Sequence, residues 1–417
     1  MFYHIITIGC QMNKADGERL AAYLESLGFK AVDKPDKADL VALVTCGVRQ
    51  SAENRIDGLV KQIKHDSPKT KIILTGCLSD RPDVQKRLGE KVDVYFNITE
   101  LPRLAAKLGL SADNGSTGGY LNLQAKYQSA FSAYVPIGNG CNNFCAYCVV
   151  PYARGREVYR GHEEVLAEVE RLIAGGYKEI ILIAQNVNSY ASGQVDFADL
   201  LKMVDDLPGD FWIRFATSHP KDLSVKLIAT VAESKKVCPH FHIALQSGSD
   251  AILKTMNRQY TAEHFLNLVK KIRLSIPEAS ITTDVIVGFP SETEEQFQRT
   301  NDLIKQIGFD QVFISRYSPR PGTASAKMAD DVSAEDKKQR EQILDKTLKD
   351  GLSLKNKDII GQEAVILVDK QDEKYAYGRS ADFKLIRFAT QDNYLGQFVT
   401  LIISGQKFFS FTGQLKI

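Results

Sequence analysis

Three of the seven cysteines in this 417-residue sequence, Cys141, Cys145 and Cys148, fall within the short stretch IGNGCNNFCAYCVVPYARG. Such crowding is not expected by chance at this cysteine content, and thiolates at that density are what iron–sulfur ligation requires. Zinc is the chemical rival, but a structural zinc site is completed by a fourth Cys or His, and none stands nearby. Buried inert thiols are the third reading, since Cys is often buried. Three thiolates leave one iron of a [4Fe–4S] cluster open, and that iron can bind a small molecule through an amine and a carboxylate. Cys141, Cys145 and Cys148 are therefore candidate catalytic metal ligands.

Three further cysteines share a different pattern. Cys10 ends the apolar run HIITIGC, Cys46 ends DLVALVTC and Cys77 ends KIILTGC. Each closes an expected parallel strand, and strand C-terminal ends of a doubly wound sheet lie along the one edge where such folds bind ligands. Cysteines distant in sequence can thus converge into a second three-thiolate site; the alternative is three small buried residues at strand ends. Cys238, in KKVCPHF, has no such company and reads as structural.

The elements that must position these cysteines form an α/β multidomain chain, because 417 residues exceed what one core supports. Residues 1–110 repeat strand, helix, strand as a doubly wound α/β domain. A Gly- and Ser-bearing stretch, 111–128, reads as a linker. Six apolar strands over residues 129–332, AYVPIG, EIILIAQ, WIRFATS, FHIALQS, ITTDVIVGF and QVFISRY, alternate with helical patterns and predict a partial (β/α)6 barrel. A charged connecting helix, 333–358, leads to short strands with Gly-containing turns over 359–417, a small β-barrel. Lys plus Arg number 53 against 51 Asp plus Glu, so global charge argues for neither nucleic acid nor membrane. No apolar stretch approaches a spanning helix or a signal segment, so no membrane association and a cytoplasmic location are expected.

The segments GCQMNKADGERL, VTCGVRQSAENR, LTGCL, GCNNFCAYCVVPYARGRE, AQNVNSY, FATSHP, LQSGSDAILKTMNRQYT, TTDVIVGFPSETEEQF and SRYSPRPGTASA occur in the order found in the radical S-adenosylmethionine methylthiotransferases, and the chain resembles that family over essentially its whole length. The resemblance implies that Cys141, Cys145 and Cys148 hold the radical-generating [4Fe–4S] cluster, and that Cys10, Cys46 and Cys77 hold an auxiliary [4Fe–4S] cluster carrying sulfur. It further implies a TRAM-like RNA-binding tail, a tRNA substrate, an electron donor such as flavodoxin or ferredoxin, a sulfur donor, and a monomer. One S-adenosyl-L-methionine would supply the methyl group and a second the radical. The expected product is a methylthio group at C2 of N6-isopentenyladenosine next to the anticodon; N6-threonylcarbamoyladenosine and a ribosomal-protein aspartate are the alternative substrates.

Within that frame Gln185, Asn186 and Asn188 fall just past a barrel strand, where they can meet the cofactor, or else cap the strand. Ser218 and His219, and Gln246 and Ser247, occupy matching strand ends. Asp284 lies inside an apolar strand, where a carboxylate needs a partner or a site. His242 reads as a satisfied core histidine, Trp212 as core, and Ser291 as a helix N-cap. Gln185, Asn186, Ser218, Gln246 and Asp284 are the cofactor-binding candidates. Arg154, Arg156 and Arg160 follow the cysteine loop with Tyr152 and Tyr159 interleaved, and Arg316 and Arg320 flank YSP. Arginines among aromatics suit phosphate pairing and base stacking, so Arg154, Arg156, Arg316 and Arg320 are the RNA candidates; solvated surface arginine is the competing reading. The tail carries seven Lys/Arg against six Asp/Glu over 361–417, so its charge identifies no partner.

Overall fold

The computed structural model describes residues 1–48, 50–110 and 119–416. The N-terminal domain is a parallel sheet of β1 (Phe2–Thr7), β2 (Lys30–Ala31), β3 (Leu40–Thr45), β4 (Lys71–Gly76) and β5 (Val94–Tyr95), in the order β2-β1-β3-β4-β5. β3, LVALVT, is buried at every position, as expected of a parallel strand covered on both faces. The helix α1 (Gln11–Ser26) covers one face through Leu20 and Leu24. On the other face, α2 (Gln50–Asp66) packs Ile56, Val60 and Ile63, a helical spacing. Burying each of these side chains contributes about 1.5–3 kcal/mol. The strand order reverses beside β1, so the carboxyl ends of β1, β3 and β4 form the ligand edge of the sheet.

The expected linker, 111–128, is only partly a linker. Residues 111–118 lie outside the described residues, whereas Tyr120 and Leu121 are buried in the N-terminal core. Gly and Ser in this stretch masked an apolar anchor that follows them.

The central domain has the six expected strands: β6 (Ser132–Pro136), β7 (Glu179–Ile183), β8 (Trp212–Ala216), β9 (His240–His242), β10 (Ser280–Val287) and β11 (Gln311–Arg316). They pair in parallel as β6-β7-β8 and β9-β10-β11, and parallel bridges from Ile213 to Val237 and Ser218 to Ile243 join the two halves. All strands run the same way in this open barrel, so their C-terminal loops share one mouth. The helix expected as a connector, α4 (Ala334–Lys355), is instead part of the central core, with Leu344, Leu348 and Leu352 buried in it. The preceding helix, α3 (Glu294–Ile307), is capped by Thr293 in a capping box, not by Ser291. Ser291 has φ 67°.

The tail is a closed barrel of β12 (Glu363–Gln371), β13 (Tyr375–Ser380), β14 (Leu385–Ala389), β15 (Phe398–Lys407) and β16 (Ser410–Leu415), in the order β12-β13-β14-β16-β15. It docks on the end of the half-barrel where the strands begin. Trp212 packs on Phe398 with ring centroids 4.7 Å apart, and His240 stacks on Phe383 at 4.3 Å. Arg214 ties the junction, donating to the main-chain oxygens of Ser380 and Ala381 while paired with Glu179 at 2.6 Å. Trp212 is therefore an interdomain contact rather than interior core. Among the described residues, no helix is long and apolar enough to cross a membrane.

Candidate active site between two cysteine loops

Cys10, Cys46 and Cys77 follow β1, β3 and β4, three adjacent strands of the N-terminal sheet. Their loops approach closely. A Cβ on Gly9 would stand 3.0 Å from Cys46 Cβ, and one on Gly47 would stand 3.3 Å from Cys77 Cβ. Asn13 stitches the first two loops: Cys10 Sγ donates to Asn13 Oδ1 at 3.1 Å, and Asn13 Nδ2 donates to the Thr45 oxygen at 2.8 Å. Asn13 is fully buried, so this contact is shielded from water.

Cys141, Cys145 and Cys148 occupy the loop after β6, at the mouth of the half-barrel. Residues Met256 to Arg258 hold this loop from across the mouth. Asn257 Nδ2 donates to the oxygens of Asn143 and Phe144, and the Ala146 N–H donates to the Met256 oxygen at 2.9 Å. The buried Arg258 donates from Nη1 to Cys145 Sγ at 3.3 Å and from Nη2 to the Ala244 oxygen at 2.8 Å. A desolvated guanidinium against Cys145 suits a ligand set that carries net negative charge when metallated. Burial pushes the Cys148 thiol up to about 12, with Cys145, Cys141 and Cys77 adding in the same direction. Cys77 of the N-terminal domain thus lies within electrostatic reach of Cys148.

Among the described residues, no group of three His, Cys, Asp or Glu side chains is gathered tightly enough to hold a single metal ion. A cubane cluster spreads its thiolate ligands over separate irons, a wider arrangement than one ion's shell. The two sets fit it in composition: Cys10, Cys46 and Cys77 stand on neighbouring loops of one sheet edge, and Cys141, Cys145 and Cys148 on a single loop.

The mouth also has unmet polar demand. Ser218 Oγ, Gln246 Oε1 and Ser249 Oγ are buried and accept or donate no hydrogen bond to the described residues. Such groups cost free energy unless a ligand or water partners them. Among the described residues, five of the seven non-glycine residues with positive φ, Phe144, Thr217, Gln246, Asn257 and Ser291, lie on these C-terminal loops. Each costs of order 1–3 kcal/mol, so strain is concentrated where a ligand would be held. These features fit S-adenosylmethionine, whose amino acid end and ribose carry the polar groups that Ser218 and Gln246 lack.

The other sequence candidates divide. Gln185 Oε1 accepts the Gly140 N–H at 2.5 Å and so steadies the cysteine loop, leaving its amide nitrogen for a ligand. Asn186 is spent internally: its Nδ2 donates to Asp222 Oδ2 at 2.7 Å and its Oδ1 accepts the His219 N–H at 3.2 Å. It is a strand-end brace rather than a cofactor contact. His219 is held neutral, its pKa lowered to about 2 by burial and by the nearby Arg258 and Lys221. Asp284 finds the partner a strand carboxylate requires: His242 Nε2 donates to its Oδ2 at 3.0 Å, and both are partly exposed toward the half-barrel interior. His242 is therefore a lining residue, not a core one.

Two RNA candidates are corrected. Arg154 is 4% exposed and paired with Asp16 at 2.6 Å. Arg320 is buried and donates to Gln50 Oε1 at 2.7 Å, bridging the central and N-terminal domains. Both read as surface residues because their partners lie far away in sequence. Arg156 remains exposed, its guanidinium 5.4 Å from the Phe144 ring, with Tyr152 edge-on to the same ring at 6.1 Å. Arg316 is also exposed, paired with Glu341 at 3.3 Å. Asn13, Asp16, Asn257 and Arg258 were not singled out from the sequence; only their nearness to the cysteine motifs in GCQMNKAD and TMNRQY could have signalled them.

The Radical SAM superfamily model matches residues 135–304, and the model described as Uncharacterized protein family UPF0004 matches residues 2–97. The chain is 41% identical over 435 residues to the tRNA-2-methylthio-N(6)-dimethylallyladenosine synthase of Carboxydothermus hydrogenoformans, covering 99% of each chain. It is 40% identical over 433 residues to the synthase of the same name from Dictyoglomus thermophilum, covering 99% of this chain and 98% of that one. Among solved structures, the radical S-adenosylmethionine methyltransferase TsrM from Kitasatospora setae, with cobalamin and a [4Fe–4S] cluster bound, aligns with a TM-score of 0.58 at 14% identity. The alignment covers 78% of this chain and 76% of that one and shows a shared fold. With two cysteine loops facing one another at the mouth of a radical S-adenosylmethionine barrel, and relatives alike from end to end, the chain belongs to the radical S-adenosylmethionine methylthiotransferase family.

Proposed function

We propose that this enzyme joins a methylthio group to C2 of N6-isopentenyladenosine next to the anticodon of tRNA, using two [4Fe–4S] clusters and two molecules of S-adenosylmethionine. The observation that carries the reading is the apposition of the two cysteine loops, joined across a buried domain interface by the Arg154–Asp16 ion pair. One site generates a radical and the other holds sulfur, so both must face the same substrate carbon. The names of the relatives support the substrate.

In this reading Cys141, Cys145 and Cys148 hold the radical-generating cluster, and Cys10, Cys46 and Cys77 the sulfur-carrying one. When bound, the first cluster and S-adenosylmethionine supply the abstraction of a hydrogen atom. Ser218, Gln246 and the amide nitrogen of Gln185 would hold and orient the cofactor when it is bound. His242 and Asp284 line the interior that the base enters. Phe144, Tyr152 and Arg156 form an aromatic and cationic rim that can stack flanking bases and pair a phosphate, and Arg316 adds a second phosphate contact. The protein acts in the cytoplasm as a monomer, with electrons from a flavodoxin- or ferredoxin-like donor and replacement sulfur from a separate donor.

Mass spectrometry of tRNA nucleosides from a strain lacking this gene tests the proposal. The methylthio isopentenyl nucleoside should disappear and its precursor without the methylthio group accumulate; an unchanged profile refutes it.

A further inference from the structure

Arg154 is a buried charge placed between the two cysteine loops. Its Nη2 donates to Asp16 Oδ2 at 2.6 Å and its Nη1 to Asn139 Oδ1 at 3.0 Å, while its main-chain oxygen accepts from Asn139 Nδ2 at 3.0 Å. The side chains of Arg154 and Asp16 are 2% and 1% exposed. Asp16 stands on α1, which starts directly after Cys10, and Asn139 and Arg154 bracket the loop that carries Cys141, Cys145 and Cys148. A single ion pair therefore connects the two loops. The surroundings are polar and incompletely satisfied: Asp16 Oδ1, Thr75 Oγ1 and Tyr120 OH, all buried, make no hydrogen bond to the described residues. Asp16, Cys77 and Tyr120 are the groups whose charges act most strongly on Arg154.

We propose that Arg154 is a positioning residue that locks the Cys10 loop to the Cys141–Cys148 loop and supplies a positive charge buried beside the N-terminal cysteines. The inference rests on the two-cluster reading above. A guanidinium stays protonated wherever it is buried, so its charge is permanent. Reduction of a cluster adds one negative charge, which Arg154 favours and Asp16 opposes. The two halves of the pair thus act on an adjacent cluster with opposite sign, although removing either breaks the same hydrogen bond.

That opposition gives the test. In full-length protein carrying Cys141→Ala, Cys145→Ala and Cys148→Ala, reconstituted anaerobically, the remaining cluster is followed by electron paramagnetic resonance through a redox titration. Arg154→Gln should move its midpoint potential to more negative values, Asp16→Asn to more positive ones, and Arg154→Lys should restore most of the first shift. Shifts of the same sign, or none, overturn the proposal, because a merely mechanical contact is lost equally in both variants. A parent protein that holds no iron, rather than about four irons, overturns the two-cluster reading instead. In the enzyme with all its cysteines intact, Arg154→Gln should also lower methylthiolated product per 5′-deoxyadenosine released, by roughly a hundredfold if the loops separate on the order of 1 Å. An unchanged ratio refutes the positioning role.

Discussion

Removing the carboxylate of Glu168 should loosen the domain interface more than any surface substitution. Glu168, on the helix His162–Ala174 of the central domain, is buried and gathers three donors. Arg19 of α1 approaches at 3.1 Å, Arg160 at 2.5 Å, and the Tyr127 hydroxyl donates as well. Arg19 is fully buried and donates also to the Leu121 oxygen. Burial raises the Glu168 pKa, but Arg19 and Arg160 more than offset it and hold the carboxyl below its ordinary value. Glu168→Gln keeps the shape and strands two guanidiniums without a counter-charge. Breaking a buried pair from one side costs about 3–5 kcal/mol, whereas an exposed pair is worth about 1 kcal/mol or less. Urea unfolding monitored by circular dichroism reads the difference, and the domain-closing transition should be the one displaced. The double variant Arg19→Met, Glu168→Leu should recover part of the loss, since it leaves one guanidinium, that of Arg160, without a counter-charge instead of two. A loss in Glu168→Gln below about 1 kcal/mol, or a double variant worse than the sum of its singles, would refute the clamp.

Three other outcomes are expected. His219, with its folded pKa near 2, binds a proton only after unfolding, so stability should fall as pH drops below about 6.5, by about 1.4 kcal/mol per pH unit. His219→Gln should flatten that slope between pH 6 and 5 in unfolding titrations. Arg258→Gln should lower the iron bound by the Cys141 loop, taking total iron from about eight toward about four atoms per chain, with Arg258→Lys intermediate; full iron content would remove Arg258 from the site. Arg156→Ala should weaken tRNA binding and reduce the slope of log affinity against log salt by about 0.7–0.9, one phosphate contact, in filter-binding titrations.

The parts of this molecule legible in the sequence are those whose signal is local. Strand periodicity marked all six barrel strands, and the run-ending positions of Cys10, Cys46 and Cys77 followed from the carboxyl edge of a parallel sheet. The parts missed depend on contacts between distant segments. Arg154 sits among aromatics and reads as a surface cation, yet its partner Asp16 is 138 residues away. Arg258 reaches Cys145 across 113 residues, and nothing in TMNRQY distinguishes a buried arginine from a solvated one. Asn186 shows the converse: a polar strand-end residue fits a ligand contact until its hydrogen bonds are counted, and Asp222 and His219 use both ends of its amide.

The placement of the tail makes a last prediction about the size of the RNA. The tail barrel docks where the central strands begin, through Trp212, Arg214 and His240, whereas both cysteine loops lie where those strands end. β10 alone spans eight residues, about 26 Å at roughly 3.3 Å per residue. An RNA that touches both ends must run along the side of the half-barrel over that distance. The tail has a suitable face: Tyr375 and Arg387 are exposed, with the Arg387 guanidinium 5.1 Å from the Tyr375 ring, and Lys370 lies 5.6 Å from the ring of Tyr377. Losing one stacked base costs about 1–3 kcal/mol, a rise of roughly 5- to 150-fold in the KM for RNA. Tyr375→Ala and Arg387→Ala should therefore raise the KM for full-length tRNA by that range. The same variants should turn over an anticodon-loop oligonucleotide, too short to reach the tail, as the parent enzyme does. Equal losses on the long and short substrates would mean that the substitutions act through stability and that this face does not carry RNA.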